Sequence, residues 1–406
     1  MEINKRIYLD NATTTRVDDE VIKEMELYYK EIYGVPSSIF SHKDGLLAKE
    51  AVERVRENIS KKLNKKEGEI IFTSGGTEGN NLILKGVAYK NQDKGKHIIT
   101  SPIEHLSVLN VVKNLEREGF NISYVPVDEH GFVNLDELIK MIRKDTILIS
   151  IQHVNQEVGT VQEIEEIGKI AKENGVLFHT DSCLGFPYFD VDLEKMNIDF
   201  LTITPHKFYG PKGVGAIYVR DLNKIKPIFN GGYNEFNLRP GTENVPQIVG
   251  FGKAVEIFNK DDVKKIENLK RYLLGKIVKE IEDIRINSPI EKSHPGILNI
   301  TFFYIEGESI VLRMDMLGVS LITGSACFSK SLEASHVLLA MGLSHEIAHG
   351  SIRFSLSKYN NKNEIDYVVK SLNETVKILR DLSPLKRENW YVFTIFKKSH
   401  RAIFKS

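Results

Sequence analysis

The chain has 406 residues, and its 55 Lys and Arg are balanced by 55 Asp and Glu. At roughly 150 residues per domain, that length predicts two or three domains, or one large α/β body with an appendage. Hydrophobic residues at 41% and charged residues at 27% exclude a mainly disordered chain, and zero net charge argues against a general nucleic-acid binder, which needs a basic excess.

Residues 1–6 carry charges where a secretory signal would be apolar, and no apolar run is long enough to span a bilayer, so a cytoplasmic location is expected. A helix is predicted over 20–33, with Val21, Met25, Tyr28, Tyr29 and Ile32 at helical spacing, and a second over 46–63. Short apolar runs then read as strands at 69–73, 97–100, 122–127, 147–153, 176–179, 200–203 and 215–219. Helical patterns fall at 106–118, 135–143 and 164–174, with Gly175 where a helix C-terminal glycine belongs. Buried strands alternating with amphipathic helices imply an α/β fold with a mostly parallel seven-stranded sheet covered on both faces. After about Gly252 the rhythm changes. A helix at 262–282, a strand at 297–303, a helix at 309–317, a Gly/Ser loop, a helix at 332–341, a strand at 352–356 and a helix at 364–381 predict a smaller α+β domain.

Five constellations can carry chemistry. Thr204-Pro205-His206-Lys207 follows an apolar strand, where functional residues of open α/β sheets gather, and a desolvated lysine there can form a Schiff base. The alternative is a surface lysine in a glycine-rich turn. Asp181, beyond the strand 176–179, can hold a pyridinium N–H or merely cap a turn. Gly75-Gly76-Thr77, between a strand and a helical segment, can present backbone N–H groups to an anion, although it lacks the nucleotide P-loop pattern. Cys327, in Gly324-Ser325-Ala326-Cys327, is either a nucleophilic thiol or a small packed residue. Two cysteines in all make neither a disulfide framework nor a zinc site, so no metal is expected. Arg353, on an alternating strand, can clamp a carboxylate bidentately or form a structural ion pair. Taken together, a lysine, a ring acid, a phosphate loop, a thiol and a carboxylate clamp are what pyridoxal phosphate (PLP) chemistry on a thiol amino acid requires.

In the order and spacing of these motifs the chain resembles the cysteine desulfurases of the NifS/IscS class, among the class V, fold-type I PLP enzymes. The resemblance runs from Ile7-Tyr8-Leu9-Asp10-Asn11 to about Asp366. It takes in Glu104-His105, the stretch His153 to Gly159, Arg239-Pro240-Gly241-Thr242 and the five constellations. It implies that Lys207 carries PLP and moves the substrate Cα proton, that His105 stacks on the ring and helps move protons, and that Asp181 pairs with the pyridine nitrogen. Asn155 would contact the ring oxygen and the substrate, and Gly76, Thr77, Thr204 and His206 would hold the phosphate. Thr242 would reach the phosphate of a neighbouring subunit, making the active unit a homodimer. Arg353, with Asn11 and Asn155, would bind L-cysteine, and Cys327 would become a persulfide for transfer to an acceptor protein such as an iron–sulfur scaffold or a thiolation enzyme.

The sequence departs from the family at Leu184, where a glutamine usually bonds the ring oxygen. It also departs at Thr204 and Pro205, at Val35, and at Phe236, which replaces an arginine. A PLP enzyme without sulfur transfer, such as an aminotransferase, and a non-catalytic scaffold relative are the competing classes; Cys327 weighs against the first and Lys207 against the second. The expected division is 15–255 as the PLP-binding domain, 1–14 with 256–384 as the small domain, and 385–406 as a basic tail. No direct nucleic-acid binding is expected from the body. The tail sets six Lys and Arg against Glu388, interleaved with Trp390, Tyr391, Phe393, Phe396 and Phe404. It can dock an acidic acceptor or nucleic acid, or simply pack onto the small domain through Val392, Ile395 and Ile403.

Overall fold

Wholly buried aliphatic runs set the centre of the computed structural model, which describes residues 6–324 and 334–384. Cys327 and the tail 385–406 lie outside the described residues. In chain order the first half holds β1 (Ile7–Tyr8), α1 (Asp19–Lys30), α2 (Lys43–Lys62), β2 (Glu69–Thr73), α3 (Gly76–Asn91), β3 (His97–Thr100), α4 (Leu106–Arg117), β4 (Asn121–Tyr124), α5 (Leu135–Met141), β5 (Thr146–Ser150), α6 (Ile164–Glu173), β6 (Leu177–Asp181), β7 (Phe200–Ile203) and β8 (Gly215–Val219). There follow α7 (Val245–Ile257), α8 (Lys260–Glu280), β9 (Ile284–Ile286), β10 (Ile297–Phe302), α9 (Gly307–Met316), β11 (Val319–Ser320), α10 (His336–Ala340), α11 (His345–His349), β12 (Ser351–Ser355) and α12 (Lys362–Leu382).

The main sheet has the order β2-β8-β7-β6-β5-β3-β4. Only β8 pairs antiparallel, with β7 on one side and β2 on the other. The remaining pairs are parallel, so six strands run one way and β8 the other. Alternate residues feed opposite faces, as the pleat requires. Ile70 and Phe72 enter one apolar cluster with α2 and α7, and Ile71 enters the other with α3 and α4. A second, antiparallel sheet, β12-β10-β9, packs against α8 and α9, and α12 packs on those two helices.

The chain start ties the two sheets to one site. After β1 pairs with β11, Ser355 N–H donates to Leu9 O at 2.7 Å, Asn11 N–H donates to Ser355 O at 3.3 Å and Thr15 N–H donates to His206 O at 2.8 Å. Residues 9–15 therefore cross from β12 to the end of β7.

Element boundaries depart from the expectations in instructive ways. The sixth strand runs to Asp181 rather than stopping at 179, because its ladder continues: His153 N–H donates to Asp181 O at 2.9 Å. The fourth strand ends at Tyr124, before Pro126, which has no N–H to offer. Helix α7 was not expected at all. Val245, Ile248, Val249, Phe251, Ala254 and Val255 are all buried, and its polar residues, Gln247, Lys253 and Glu256, are too few to mark a period.

Between β8 and α7 the backbone takes three successive left-handed residues, Glu235, Phe236 and Asn237, with φ of 43°, 57° and 62°. None is glycine, and such conformations persist only where the surroundings hold them. Here the Arg56 guanidinium donates to both Glu235 oxygens, at 2.8 and 3.0 Å, and Phe72 N–H donates to Glu235 Oε2 at 2.7 Å. Both side chains are buried. Glu235→Leu leaves Arg56 with only Glu53 and the Ile70 carbonyl as partners and frees the turn. Its expected cost is about 3–5 kcal/mol, read as a lower urea midpoint at unchanged slope; an unshifted midpoint would show that the pair does not hold the turn.

Candidate active site

Six parallel strands put their carboxyl ends on one edge of the sheet, and three of the five sequence constellations, those of Gly76, Asp181 and Lys207, lie there. Ser74–Thr77 leave β2, Ser101–His105 leave β3, the stretch to Asn155 leaves β5, Asp181 ends β6, and Thr204–Lys207 leave β7. Arg353 comes from the middle of β12 in the other sheet.

Lys207 Nζ donates to the carbonyls of Ala12 and Thr13, both at 2.7 Å. Among the described residues no acid pairs with it. Burial, and then the nearby Arg353 charge, bring its pKa down to about 8. An ammonium held by carbonyls alone, and this close to neutrality, is poised to become a nucleophilic amine. His206, beside it, is pushed down to about 3 by burial and then by the charges of Lys207, Lys212 and His105.

Asp181 Oδ2 accepts from Asn80 Nδ2 at 2.6 Å, and Oδ1 accepts from Cys183 N–H at 3.0 Å. Asn80 also donates to Ser107 Oγ at 2.8 Å, and Ser107 Oγ lies 2.7 Å from His105 Nδ1. Ser107 N–H donates to the same Nδ1 at 3.1 Å. A nitrogen that accepts from a backbone N–H carries no proton of its own, so neutral His105 holds its proton on Nε2. Asn80, unassigned from sequence, thus connects the ring acid to the histidine.

The anion cradle is the start of α3. Its N-cap is Gly75, which offers no side chain to the first turn, so the leading N–H groups are left for a ligand. A Cβ on Gly76 would sit 2.8 Å from Cys183 Sγ, so the cradle's floor tolerates no larger residue. Thr77 is exposed at this rim. A cavity of about 450 Å³ opens beside it, lined by Thr77, Asn81, Lys85, His105, Ser107 and Asn110 among others. Arg239 on the 229–244 stretch donates to Glu78 Oε1 at 2.9 Å and so ties that stretch to α3.

Arg353 is buried. Its Nη2 donates to Asp10 Oδ1 and Thr13 Oγ1, each at 2.6 Å, and its Nη1 donates to Gln156 O at 2.8 Å. Among the described residues its Nε has no hydrogen-bond partner, a buried donor left open.

The expected site residues do not all converge equally. His105, Asp181, His206 and Arg353 all lie within electrostatic reach of Lys207 or of one another, and Gly76 abuts Cys183, two residues from Asp181. Asn155 is fully buried and holds its own loop: Oδ1 accepts from Glu157 and Val158 N–H, and Nδ2 donates to Ile103 O at 3.1 Å. Asn11 Nδ2 donates to Ser355 O at 2.8 Å. Thr204 donates to Val214 O at 3.1 Å. Thr242 is exposed, and among the described residues no site side chain bonds it. Leu184 packs with Ala12, Val154 and Ile297, a small apolar cluster that shares Ala12 with the Lys207 contact. Cys183 is the wrong thiol for nucleophilic work, since burial and then Asp181 push its pKa well up.

The donor set fits a pyridoxal phosphate. Among the described residues the lysine has no competing acid, a half-buried carboxylate pairs with no cation, the helix start has no side-chain cap, and a guanidinium N–H is unspent. Among the described residues no helix is long and apolar enough to cross a membrane.

Comparison with known proteins agrees with this arrangement. The aminotransferase class-V family matches residues 7–368. The cysteine desulfurase IscS of Dictyoglomus turgidum is 47% identical over 389 residues, covering 95% of this chain and 98% of the relative. The cysteine desulfurase IscS of Methanosarcina thermophila is 47% identical over 388 residues, covering 94% of this chain and 95% of the relative. A solved NifS-like protein superposes with a TM-score of 0.86 at 40% identity, covering 92% of this chain and 100% of that one.

Proposed function

The chain belongs to the class-V aminotransferase family and, within it, to the cysteine desulfurases, and from that premise we propose that it converts L-cysteine to L-alanine with PLP on Lys207 and leaves the sulfur as a persulfide on Cys327. The observation that carries the reading is the Lys207 amine: half-buried, held by two carbonyls, and near Asp181 and Arg353.

Lys207, Asp181, His105, His206 and the start of α3 hold the cofactor, which when bound supplies an electron sink for a carbanion at the substrate Cα. The chain's residues do the rest. Arg353 takes the substrate carboxylate, exchanging part of its Asp10 contact for it. The Lys207 amine removes and returns the proton at Cα. His105, with its proton on Nε2, moves protons on the ring side. The Cys327 thiolate attacks the substrate sulfur, and the S–S bond forms as the Cβ–S bond breaks. The bonding pair leaves with the carbon that becomes the methyl group of alanine. The active unit in this reading is a cytoplasmic homodimer, with Thr242 serving the partner's phosphate site, and the persulfide passes to an acceptor protein.

The test is direct. Purified protein with PLP is expected to be yellow and to release alanine from L-cysteine in the presence of a thiol reductant. Colour without alanine would reduce the reading to a PLP binder.

Leu184 bears on the cofactor's electronics. Leucine offers the ring oxygen no donor, whereas glutamine would favour the ionised phenolate. Leu184→Gln is therefore expected to move the pH midpoint of the bound cofactor's absorbance downwards. An unchanged midpoint would mean that another donor already serves that oxygen.

A further inference from the structure

Glu157 is a buried acid that the reaction as described does not use. It follows Asn155 and Gln156, and both neighbours are held by the site: Asn155 Oδ1 accepts from Glu157 N–H at 2.8 Å, and Gln156 O accepts from Arg353 Nη1 at 2.8 Å. Its carboxylate points away from its own loop. Oε2 accepts from the Ser335 hydroxyl. The same oxygen faces Gly324 so closely that a Cβ there would lie 2.5 Å from it and 3.2 Å from Ser335 Cβ. Gly324 and Ser335 are the residues on either side of the sequence that contains Cys327. They converge on one oxygen atom.

The neighbours reinforce the arrangement. Arg353 N–H donates to Ile322 O at 2.9 Å, two residues before Gly324. His336 Nε2–H donates to Glu104 O at 3.0 Å, next to His105. Burial pushes the Glu157 carboxyl up to about 7, and the Ser335 hydroxyl and then the Arg353 charge oppose that shift.

We propose that Glu157 is a positioning residue for sulfur transfer, holding Gly324 and Ser335 together beside Arg353 so that both ends of the Cys327-bearing sequence are fixed relative to the substrate clamp. The inference rests on the functional reading above. Chain geometry gives it force: Cys327 is three residues from Gly324 in sequence, and three residues span at most about 11 Å, so holding Gly324 against Glu157 limits how far the thiol can range. A released Gly324 removes the bound, and attack by a tethered group depends steeply on its placement.

The experiment separates two steps after mixing holoenzyme with L-cysteine. The early absorbance change of the cofactor reports substrate binding and Cα proton removal; quench and alkylation report the persulfide on Cys327. Glu157→Ala is expected to leave the early change intact and to slow persulfide formation about 10- to 100-fold, the loss of one hydrogen bond to a charged group. Glu157→Gln keeps an acceptor for Ser335 and is expected to recover most of the rate. Ser335→Ala, which spares the buried carboxyl, carries the test if Glu157→Ala does not fold. It is expected to slow the same step, with Ser335→Thr restoring it. Persulfide formation at the wild-type rate in Glu157→Ala or Ser335→Ala overturns the proposal, as does an early change slowed in parallel. A wild-type enzyme that forms no persulfide on Cys327 overturns the functional reading itself.

Discussion

Alanine in place of Lys207 is expected to abolish both the cofactor's covalent absorbance and the release of alanine from L-cysteine. The loss combines two contributions. In the proposed mechanism the amine is the attachment point and also the base at the substrate Cα, a role that alone contributes typically 10²- to 10⁴-fold. A lysine near pKa 8 is about one-quarter neutral at pH 7.5, against roughly one-thousandth for an unperturbed lysine. The sign of the pH dependence follows. Only the neutral amine attacks the cofactor's aldehyde, so reloading of the apoprotein should accelerate about tenfold per pH unit below 8 and level off above it. Absorbance during reloading of wild-type apoprotein checks the curve. A rate still climbing steeply at pH 9 would place the amine at its ordinary pKa, and unchanged alanine release by Lys207→Ala would remove the core of the mechanism.

Cys327→Ala is expected to be as severe in a different step. Without the thiol the substrate's Cβ–S bond has no acceptor, so alanine and persulfide both disappear. Exchange of the substrate Cα proton with solvent deuterium should continue, because Lys207, Asp181 and Arg353 are untouched. Cys183→Ala should keep the persulfide on Cys327, since the Cys183 thiol is buried beneath Gly76 with its pKa pushed up. Mass mapping after a pulse of L-cysteine decides between the two sulfurs. Extra sulfur found mainly on Cys183, or full turnover by Cys327→Ala, would overturn the assignment and favour a PLP enzyme without sulfur transfer.

Most of the architecture was legible in the chain because buried parallel strands are continuous apolar runs. The strands 69–73, 97–100, 200–203 and 215–219 match residue for residue. Where the signal weakened, a physical reason is visible. Thr180 and Asp181 look polar yet belong to β6, and α7 has too few polar residues to show its period. The residues proposed to bear the chemistry were picked out by their order; those that support them were not. Asp10 meets Arg353 across 343 positions, Asn80 meets Asp181 across 101, and Glu157 meets Ser335 across 178. No local period or spacing encodes such pairs. Asn155 shows the converse, a recognisable residue whose side chain is spent on its own loop.

The single reversed strand, β8, has a use beyond the fold. Its last residue, Val219, lies beside Glu69 and Phe200, the first residues of β2 and β7. The chain therefore turns at Asp221–Lys224 on the rim opposite the chemistry, and Asn223 is exposed there. A fluorophore or affinity handle attached at that turn sits a full strand length from Lys207, about 17 Å at 3.4 Å per residue. It offers a way to immobilise the enzyme, or to follow its unfolding, without touching the face through which cysteine enters.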